Sequence, residues 1–290
     1  MNDYQVVVIG GGPGGYVAAI RGAQLGLKTC IVEKDELGGI CLNWGCIPTK
    51  ALLKNAEVFH YIKNSEKFGI NVENISIDFK RNIKRSRDVA KRLSKGIEFL
   101  IKKNNIKHYS GFGKLVSNKG IEIFDGDKKF LLEAKKIIIA TGAKPKTIPK
   151  IEFDNRIISY KEAMTLTELP KRLIIIGAGA IGCEFAYYYN EFGTDVHLIE
   201  SQNQILPLED IDISKEVEKS FNHSGIKIST GTKVSRITSL KTKVKVHIEK
   251  EGIEKLISGD FALLAVGVTG NIENIGLEDL GIKTKNGSIQ

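Results

Sequence analysis

The chain has 290 residues, 42% of them hydrophobic and 27% charged, with a net charge of +9, enough for about two domains with separate cores. Its four cysteines are too few for a disulfide scaffold, and no apolar run reaches membrane-spanning length. The N-terminus enters the apolar strand Gln5–Ile9 without a basic leader or cleavage site, so no secretory signal is expected and the cytoplasm is the default compartment.

In chain order, residues 6–33 read as a strand, a glycine turn, a helix, a second strand and a closing carboxylate. The turn is Gly10-x-Gly12-x-x-Gly15 and the carboxylate Glu33. In that context the glycines give a tight turn and let a pyrophosphate approach the backbone, while the helix N-terminus offers N–H groups to it. The carboxylate is placed to accept hydrogen bonds from a ribose diol.

Next comes Gly38-Gly39-Ile40-Cys41-Leu42-Asn43-Trp44-Gly45-Cys46-Ile47-Pro48-Thr49-Lys50. In a regular helix five residues rise about 7.5 Å, beyond the usual disulfide Cα separation of roughly 4.4–6.8 Å. A bridge between Cys41 and Cys46 therefore needs a loop or a distorted turn, which Gly38, Gly39 and Gly45 make accessible. Redox work, zinc ligation and two core thiols are the competing readings. With no C-x-x-C and no histidine nearer than His60, zinc is poorly supported. Cys30 and Cys183 read as small core residues.

Residues 80–103 place Lys84, Arg85, Arg87, Lys91, Arg92 and Lys95 opposite Ile83, Val89, Leu93, Ile97 and Leu100. That spacing predicts an amphipathic helix whose basic face meets solvent. No groove-reading motif accompanies it, so neither nucleic acid nor membrane is expected as a partner. A β-meander is predicted over Lys107–Phe130, then an apolar strand ending at Ala140-Thr141-Gly142, with a domain boundary near Pro145 to Pro149.

Residues 173–200 repeat the first unit without a gap: Gly10, Gly12, Gly15 and Glu33 map onto Gly177, Gly179, Gly182 and Glu200. A second meander is expected over Lys227–Ile257, and a second apolar strand ends at Gly267. No Arg or Lys follows Glu200 until Lys215, so its carboxylate favours NAD over NADP. Tyr187, Tyr188 and Tyr189 read as packing.

These residues resemble the pyridine nucleotide–disulfide oxidoreductase family, in its dihydrolipoamide-oxidising branch; the most specific stretch is GGICLNWGCIPTK, supported by ATGAKP and by residues 199–221. The resemblance implies an α/β fold of two Rossmann-like dinucleotide-binding domains with β-meander insertions, and lacks the C-terminal interface domain of the family. The implied domains are 1–147 for FAD and the dithiol, 148–268 for NAD, and 269–290 starting a return to the first. It implies a flavoprotein passing electrons from dihydrolipoamide through a Cys41–Cys46 disulfide and FAD to NAD. Cys41 matches the interchange thiol and Cys46 the thiol facing the flavin. Gly10, Gly12, Gly15, Glu33, Gly38, Gly39, Gly113, Ala140, Thr141 and Gly142 match the FAD side. Lys50 matches a lysine near the flavin, paired with Glu184. Gly177, Gly179, Gly182, Glu184, Glu200, Val234 and Gly267 match the NAD side. The partners implied are a lipoyl-bearing protein of a 2-oxoacid dehydrogenase or glycine cleavage complex and, in the family, a second subunit. No histidine stands in the context of the family's acid–base pair, so a chain that only binds nucleotide, or another disulfide reductase of the family, is the alternative expectation.

Overall fold

The computed structural model describes residues 3–290, which divide into two compact units: 3–48, 87–144 and 269–290 form one, 49–86 and 145–268 the other.

The first unit opens with β1 (Tyr4–Ile9), α1 (Pro13–Gln24) and β2 (Thr29–Glu33). Then come α2 (Gly39–Trp44), α3 (Cys46–Lys63) and α4 (Phe79–Lys103), of which residues 49–86 count with the second unit, and β3 (Lys107–Ser110), β4 (Phe112–Leu115), β5 (Gly120–Asp125), β6 (Lys128–Ile139) and β7 (Ala143–Pro145). One six-stranded sheet runs β3-β2-β1-β6-β5-β4. The β-period sends alternate side chains to opposite faces. Val7, Ile9, Cys30 and Val32 meet Leu115, Ile121, Ile123 and Leu132 on one side, while Val8 and Ile31 meet Ala19, Leu42, Ile97 and Ile101 on the other.

The structure redraws the first meander. Lys107–Ser110 is a parallel strand beside β2, pairing Cys30 with Lys107 and Val32 with Tyr109. The antiparallel part is β4, β5 and the first half of β6. The second half of β6, from Ala134, pairs with β1 in parallel. Strand propensity cannot separate parallel from antiparallel partners; the place of Lys107–Ser110 as the third strand of a nucleotide fold decides it. In α4 the buried side is Ile83, Ala90, Ile97 and Ile101, whereas Leu93 and Leu100 are exposed, so the apolar stripe is narrower than the sequence pattern suggested.

Residues 269–290 belong to this first unit. Ile275 and Leu277 are buried in its core, and the Ile275 carbonyl accepts from Leu115 N at 2.9 Å. Gly276 lies at φ +81°, and a Cβ there would stand 2.1 Å from the Leu115 carbonyl oxygen; only glycine fits so close an approach. The segment ends in a hairpin of β17 (Thr284–Lys285) and β18 (Ser288–Ile289), after β16 (Val268–Gly270). Asn286 and Gly287 between them both have positive φ, as a two-residue hairpin turn demands.

The second unit holds β8 (Ile157–Ile158), α5 (Tyr160–Ala163), β9 (Arg172–Ile176), α6 (Ala180–Glu191), β10 (Asp195–Ile199), α7 (Ile211–His223) and β11 (Lys227–Ser229). Its parallel sheet runs β11-β10-β9-β15-β8, where β15 is Phe261–Leu264. A three-stranded meander of β12 (Lys233–Ser239), β13 (Val244–Lys250) and β14 (Ile253–Gly259) lays Val244, Val246 and Ile248 on Ile174, Ile176 and Leu264. Lys227–Ser229 again stands outside the meander as a parallel strand. Phe185, Tyr188 and Tyr189 are buried; Tyr189 donates its hydroxyl to the Ala163 carbonyl, and Tyr188 its own to Asn82 Oδ1 at 3.2 Å. Ser159 and Glu162 form a reciprocal capping box at the start of α5, satisfying helix N–H groups. Among the described residues no helix is long and apolar enough to cross a membrane.

Candidate active site and nucleotide sites

The two glycine turns are built alike. Gly10 and Gly177 lie at φ +107° and +100°, and a Cβ would stand 2.1 Å from the Ala140 carbonyl oxygen in one and 2.5 Å from that of Ala265 in the other. Gly15 and Gly182 pack against the Gly10 and Gly177 carbonyls, with room for no Cβ at all. Helices α1 and α6 therefore sit tight on their strands, each with its first N–H groups at the turn. The acids closing β2 and β10 do more than the sequence suggested. Glu33 accepts from Gly11 N at 2.6 Å and Asp35 N at 2.7 Å. Glu200 accepts from Ala178 N and Gln202 N, both at 2.8 Å, and from Ser201 Oγ at 3.1 Å. Each carboxylate thus braces its own turn, and a ribose diol would share oxygens that already hold backbone. A carboxylate has about four acceptor positions, so Glu33 keeps about two open for a diol and Glu200, with three donors already, about one.

In the second unit the turn opens onto a cleft of about 740 Å³, within the usual small-molecule range of roughly 300–1,000 Å³. The cleft brings together Gly177, Gly179, Glu200, Val234 and Gly267, which the sequence spreads over 91 positions; Gly182 and Glu184 lie outside its lining. A Cβ on Gly179 would meet nothing within 4 Å, so the backbone there faces open space. Lys233 also lines the cleft. The sequence argument, which looked no farther along the chain than Lys215, had missed it; Thr232 N bonding the Glu200 carbonyl at 2.9 Å brings this lysine in.

In the first unit the same turn is met by the dithiol segment. Gly38 N donates to the Gly11 carbonyl at 2.8 Å, and a Cβ on Gly39, at φ +59°, would lie 2.6 Å from Gly12 Cα. Cys41 stands in α2 and Cys46 begins α3, with the non-helical Gly45 between them. This is the helix break that a bridge needs. Space at Gly45 is tight: a Cβ would meet the Ile40 carbonyl at 3.1 Å and Cys41 Cα at 3.3 Å. Cys41 is half-buried and Cys46 exposed. Cys30 and Cys183 are buried, and burial pushes each thiol up to about 12.

Sequence reasoning passed over Asn43 and Ser94. Asn43 is buried and donates to the Leu37 and Gly39 carbonyls at 3.0 and 3.2 Å. Ser94 Oγ donates to Asn43 Oδ1 at 2.7 Å, so α4 braces α2, the helix that carries Cys41. The available signal was an asparagine on the apolar side of a cysteine helix. Trp44 is stacked by the Arg87 guanidinium, 4.3 Å from the ring centre.

Lys50 Nζ pairs with Glu184 Oε1 at 2.5 Å within the second unit. Residues 140–142 close the C-terminal end of β6, where Ala140 N donates to the Ile9 carbonyl at 2.8 Å. Gly113 is set by packing: a Cβ would meet Ile9 Cγ2 and Val32 Cγ1 at 3.2 and 3.3 Å. Among the described residues no group of three or more His, Cys, Asp or Glu is placed to hold a metal ion.

Residues 4–290 match the model of the pyridine nucleotide-disulphide oxidoreductase family. The chain is 44% identical over 292 residues to a dihydrolipoyl dehydrogenase of Chlorobaculum tepidum, covering 99% of this chain and 62% of that protein. It is 41% identical over 299 residues to one of Bacillus subtilis, covering 99% and 63%. Among solved structures it resembles LpdA of Mycobacterium tuberculosis, with TM-score 0.89, 27% identity and coverage of 98% and 63%. A copper complex of RclA, an HOCl-induced flavoprotein disulfide reductase of Escherichia coli, gives TM-score 0.86 at 28% identity, covering 100% and 62%. The chain thus spans less than two thirds of the relatives it matches.

Proposed function

The chain belongs to the pyridine nucleotide-disulphide oxidoreductase family, and from that premise we propose that it oxidises dihydrolipoamide through Cys41 and Cys46, with FAD on the first unit and NAD in the cleft of the second. One observation carries the reading: the glycine turn at Gly10–Gly15 is hydrogen-bonded, through Gly11 and Gly38, to the segment that bears both cysteines. A dithiol is thereby fixed against a dinucleotide turn.

The residues fit both groups. In the second unit a cleft of dinucleotide-compatible size has the turn and Glu200 in its wall. In the first unit a Cβ on Gly142, at φ +69°, would meet nothing within 4 Å, leaving open backbone at the end of β6. When bound, FAD would supply a two-electron acceptor for the reduced cysteine pair, and NAD the final hydride acceptor. The chain's own part is dithiol exchange. A substrate thiolate attacks the Cys41 sulfur of the Cys41–Cys46 disulfide and frees Cys46. The second substrate thiol then displaces Cys41, leaving the substrate as a disulfide and the two cysteines reduced. Lys50, held by Glu184, sets a positive charge one turn along α3 from Cys46. Glu200 orients the ribose and repels a 2′-phosphate.

A lipoyl-bearing domain of a 2-oxoacid dehydrogenase or glycine cleavage complex is the partner proposed, and the cytoplasm the compartment, since a working dithiol suits a reducing environment. A second reading, nucleotide binding without turnover, is favoured by one feature: the parallel half of β6 pairs with β1 alone among the described residues.

Nucleotide titrations and anaerobic mixing with dihydrolipoamide test these readings. Losing one charge-assisted contact costs roughly 1.5–3 kcal/mol, so NADP is expected to bind about tenfold to a hundredfold more weakly than NAD. Dihydrolipoamide should bleach bound flavin in the wild type and not in Cys41→Ser. Equal NAD and NADP affinities would remove the assignment of Glu200. Binding of both nucleotides with no bleaching would leave the binding-only reading.

A further inference from the structure

Residues 140–142 follow β6 at a turn that the proposed function gives to the flavin, and the bonds that hold Thr141 and Gly142 come from a distant part of the chain. Asn271 N donates to the Gly142 carbonyl at 2.9 Å. Its side-chain Nδ2 donates to the Thr141 carbonyl at 2.9 Å. In return Thr141 Oγ1 donates to the Asn271 carbonyl at 2.7 Å. Three bonds between two short segments fix both the path of the turn and the rotamer of Thr141.

The segment that delivers Asn271 is itself anchored in the first unit. Lys144 pairs with Glu273 at 2.9 Å, and Ile275 and Leu277 fill the core beside Leu115 and Ile121. The close approach at Gly276 sets their depth. Asn271 therefore stands on a rigid support, 130 residues after the turn it holds.

We infer that Asn271 is a positioning residue for flavin binding: its amide holds the 141–142 turn in the shape that receives the cofactor, and it touches no cofactor itself. The inference rests on FAD being the occupant of the first unit. Thr141 has its hydroxyl turned to the Asn271 carbonyl, so the turn offers a cofactor its backbone and the open face at Gly142. Asparagine suits the position because its amide is a donor at every pH, whereas a carboxylate there would set negative oxygen against the Thr141 carbonyl.

The test uses the 290-residue chain with three readouts. FAD affinity is read by quenching of flavin fluorescence, NAD affinity by titration of the second unit, and amide exchange at Thr141 and Gly142 by mass spectrometry. Loss of one part-buried hydrogen bond predicts about a tenfold weaker FAD complex for Asn271→Ala, with NAD affinity unchanged and exchange at the turn faster. Asn271→Asp sharpens the test. At pH 8 its FAD binding should fall below that of Asn271→Ala, and it should recover toward pH 5 as the protonated carboxyl becomes a donor; the wild type has no such dependence. FAD affinity unaltered in Asn271→Ala, or an Asp variant without pH dependence, would overturn the inference. So would loss of FAD and NAD binding together, which would mark a general role in folding. If the wild type binds no FAD, the flavin assignment fails by that measurement. The clamp is then judged by exchange alone, where equal rates in wild type and Asn271→Ala reject it.

Discussion

The two units begin from the same 28-residue pattern and diverge once the second strand has ended. After β10 the chain turns at once into a loop beside the glycine turn, and Gly179 faces an open cleft. After β2 it enters α2, which seats Gly39 against Gly12 and leaves two cysteines next to the turn. The sheets differ as well: β15 is flanked by β9 and β8, whereas the equivalent half of β6 pairs, among the described residues, with β1 alone. The lesson is that the repeat encodes a dinucleotide turn, while the insertion after it selects what the turn is used for.

The comparison breaks most sharply at the glycines. Gly10→Ala and Gly177→Ala each force a positive-φ alanine against a carbonyl, and the combined strain and overlap should cost more than about 3 kcal/mol. Hydrogen exchange should show each variant loosening its own unit. Gly179→Ala, at ordinary φ with open space around it, should change stability by less than about 0.5 kcal/mol while lowering NAD affinity. Equal destabilisation by Gly177→Ala and Gly179→Ala in urea would refute this division of roles.

A second contrast lies in the cysteines. With thiols pushed up to about 12 by burial, Cys30 and Cys183 carry roughly one thiolate in ten thousand at pH 8. Iodoacetamide followed by peptide mapping should label Cys41 and Cys46 in the reduced chain and spare the other two. After mild oxidation Cys41 and Cys46 should be protected as a pair. Labelling of both after oxidation would count against a disulfide between them.

The braces make a smaller difference. Glu33→Gln and Glu200→Gln keep the size of each side chain and weaken the hydrogen bonds to Gly11 N and Ala178 N, so each should cost about 1–2 kcal/mol. Only Glu200→Gln should narrow the preference for NAD over NADP. A matched pair of nucleotide titrations decides whether the two acids serve equivalent turns in different chemical settings.

The smallest effect is expected from an acid-side titration in the second unit. Burial raises the Asp195 pKa, but bonds from Arg172 and Lys227 outweigh it and hold the carboxyl below its ordinary value. A carboxyl depressed on folding adds stability above its unfolded pKa and loses it as pH falls through the folded one. Asp195→Asn should therefore flatten the stability profile below about pH 4, and thermal melts from pH 6 to pH 3 check it. Since Asp195 is about one-third exposed, the change should be modest. A profile as steep as that of the wild type would assign acid sensitivity elsewhere.

By itself the sequence determined whatever depends on local spacing: the strand–turn–helix–strand units, the glycines at positive φ, the acids closing β2 and β10, and the cysteines astride Gly45. These arise from steric rules acting within a few residues. The pairing of Lys50 with Glu184 was legible only through the family's pattern. Other features were settled by tertiary structure alone. Parallel placement of Lys107–Ser110 and Lys227–Ser229 depends on which neighbour the sheet supplies. The backbone duty of Glu33 and Glu200, Lys233 in the cleft, Asn43 beneath the dithiol and Asn271 on the Thr141 turn all join residues brought together by folding. Hydrogen bonds form wherever a donor and an acceptor meet in space, and linear spacing carries no record of meetings 130 residues apart.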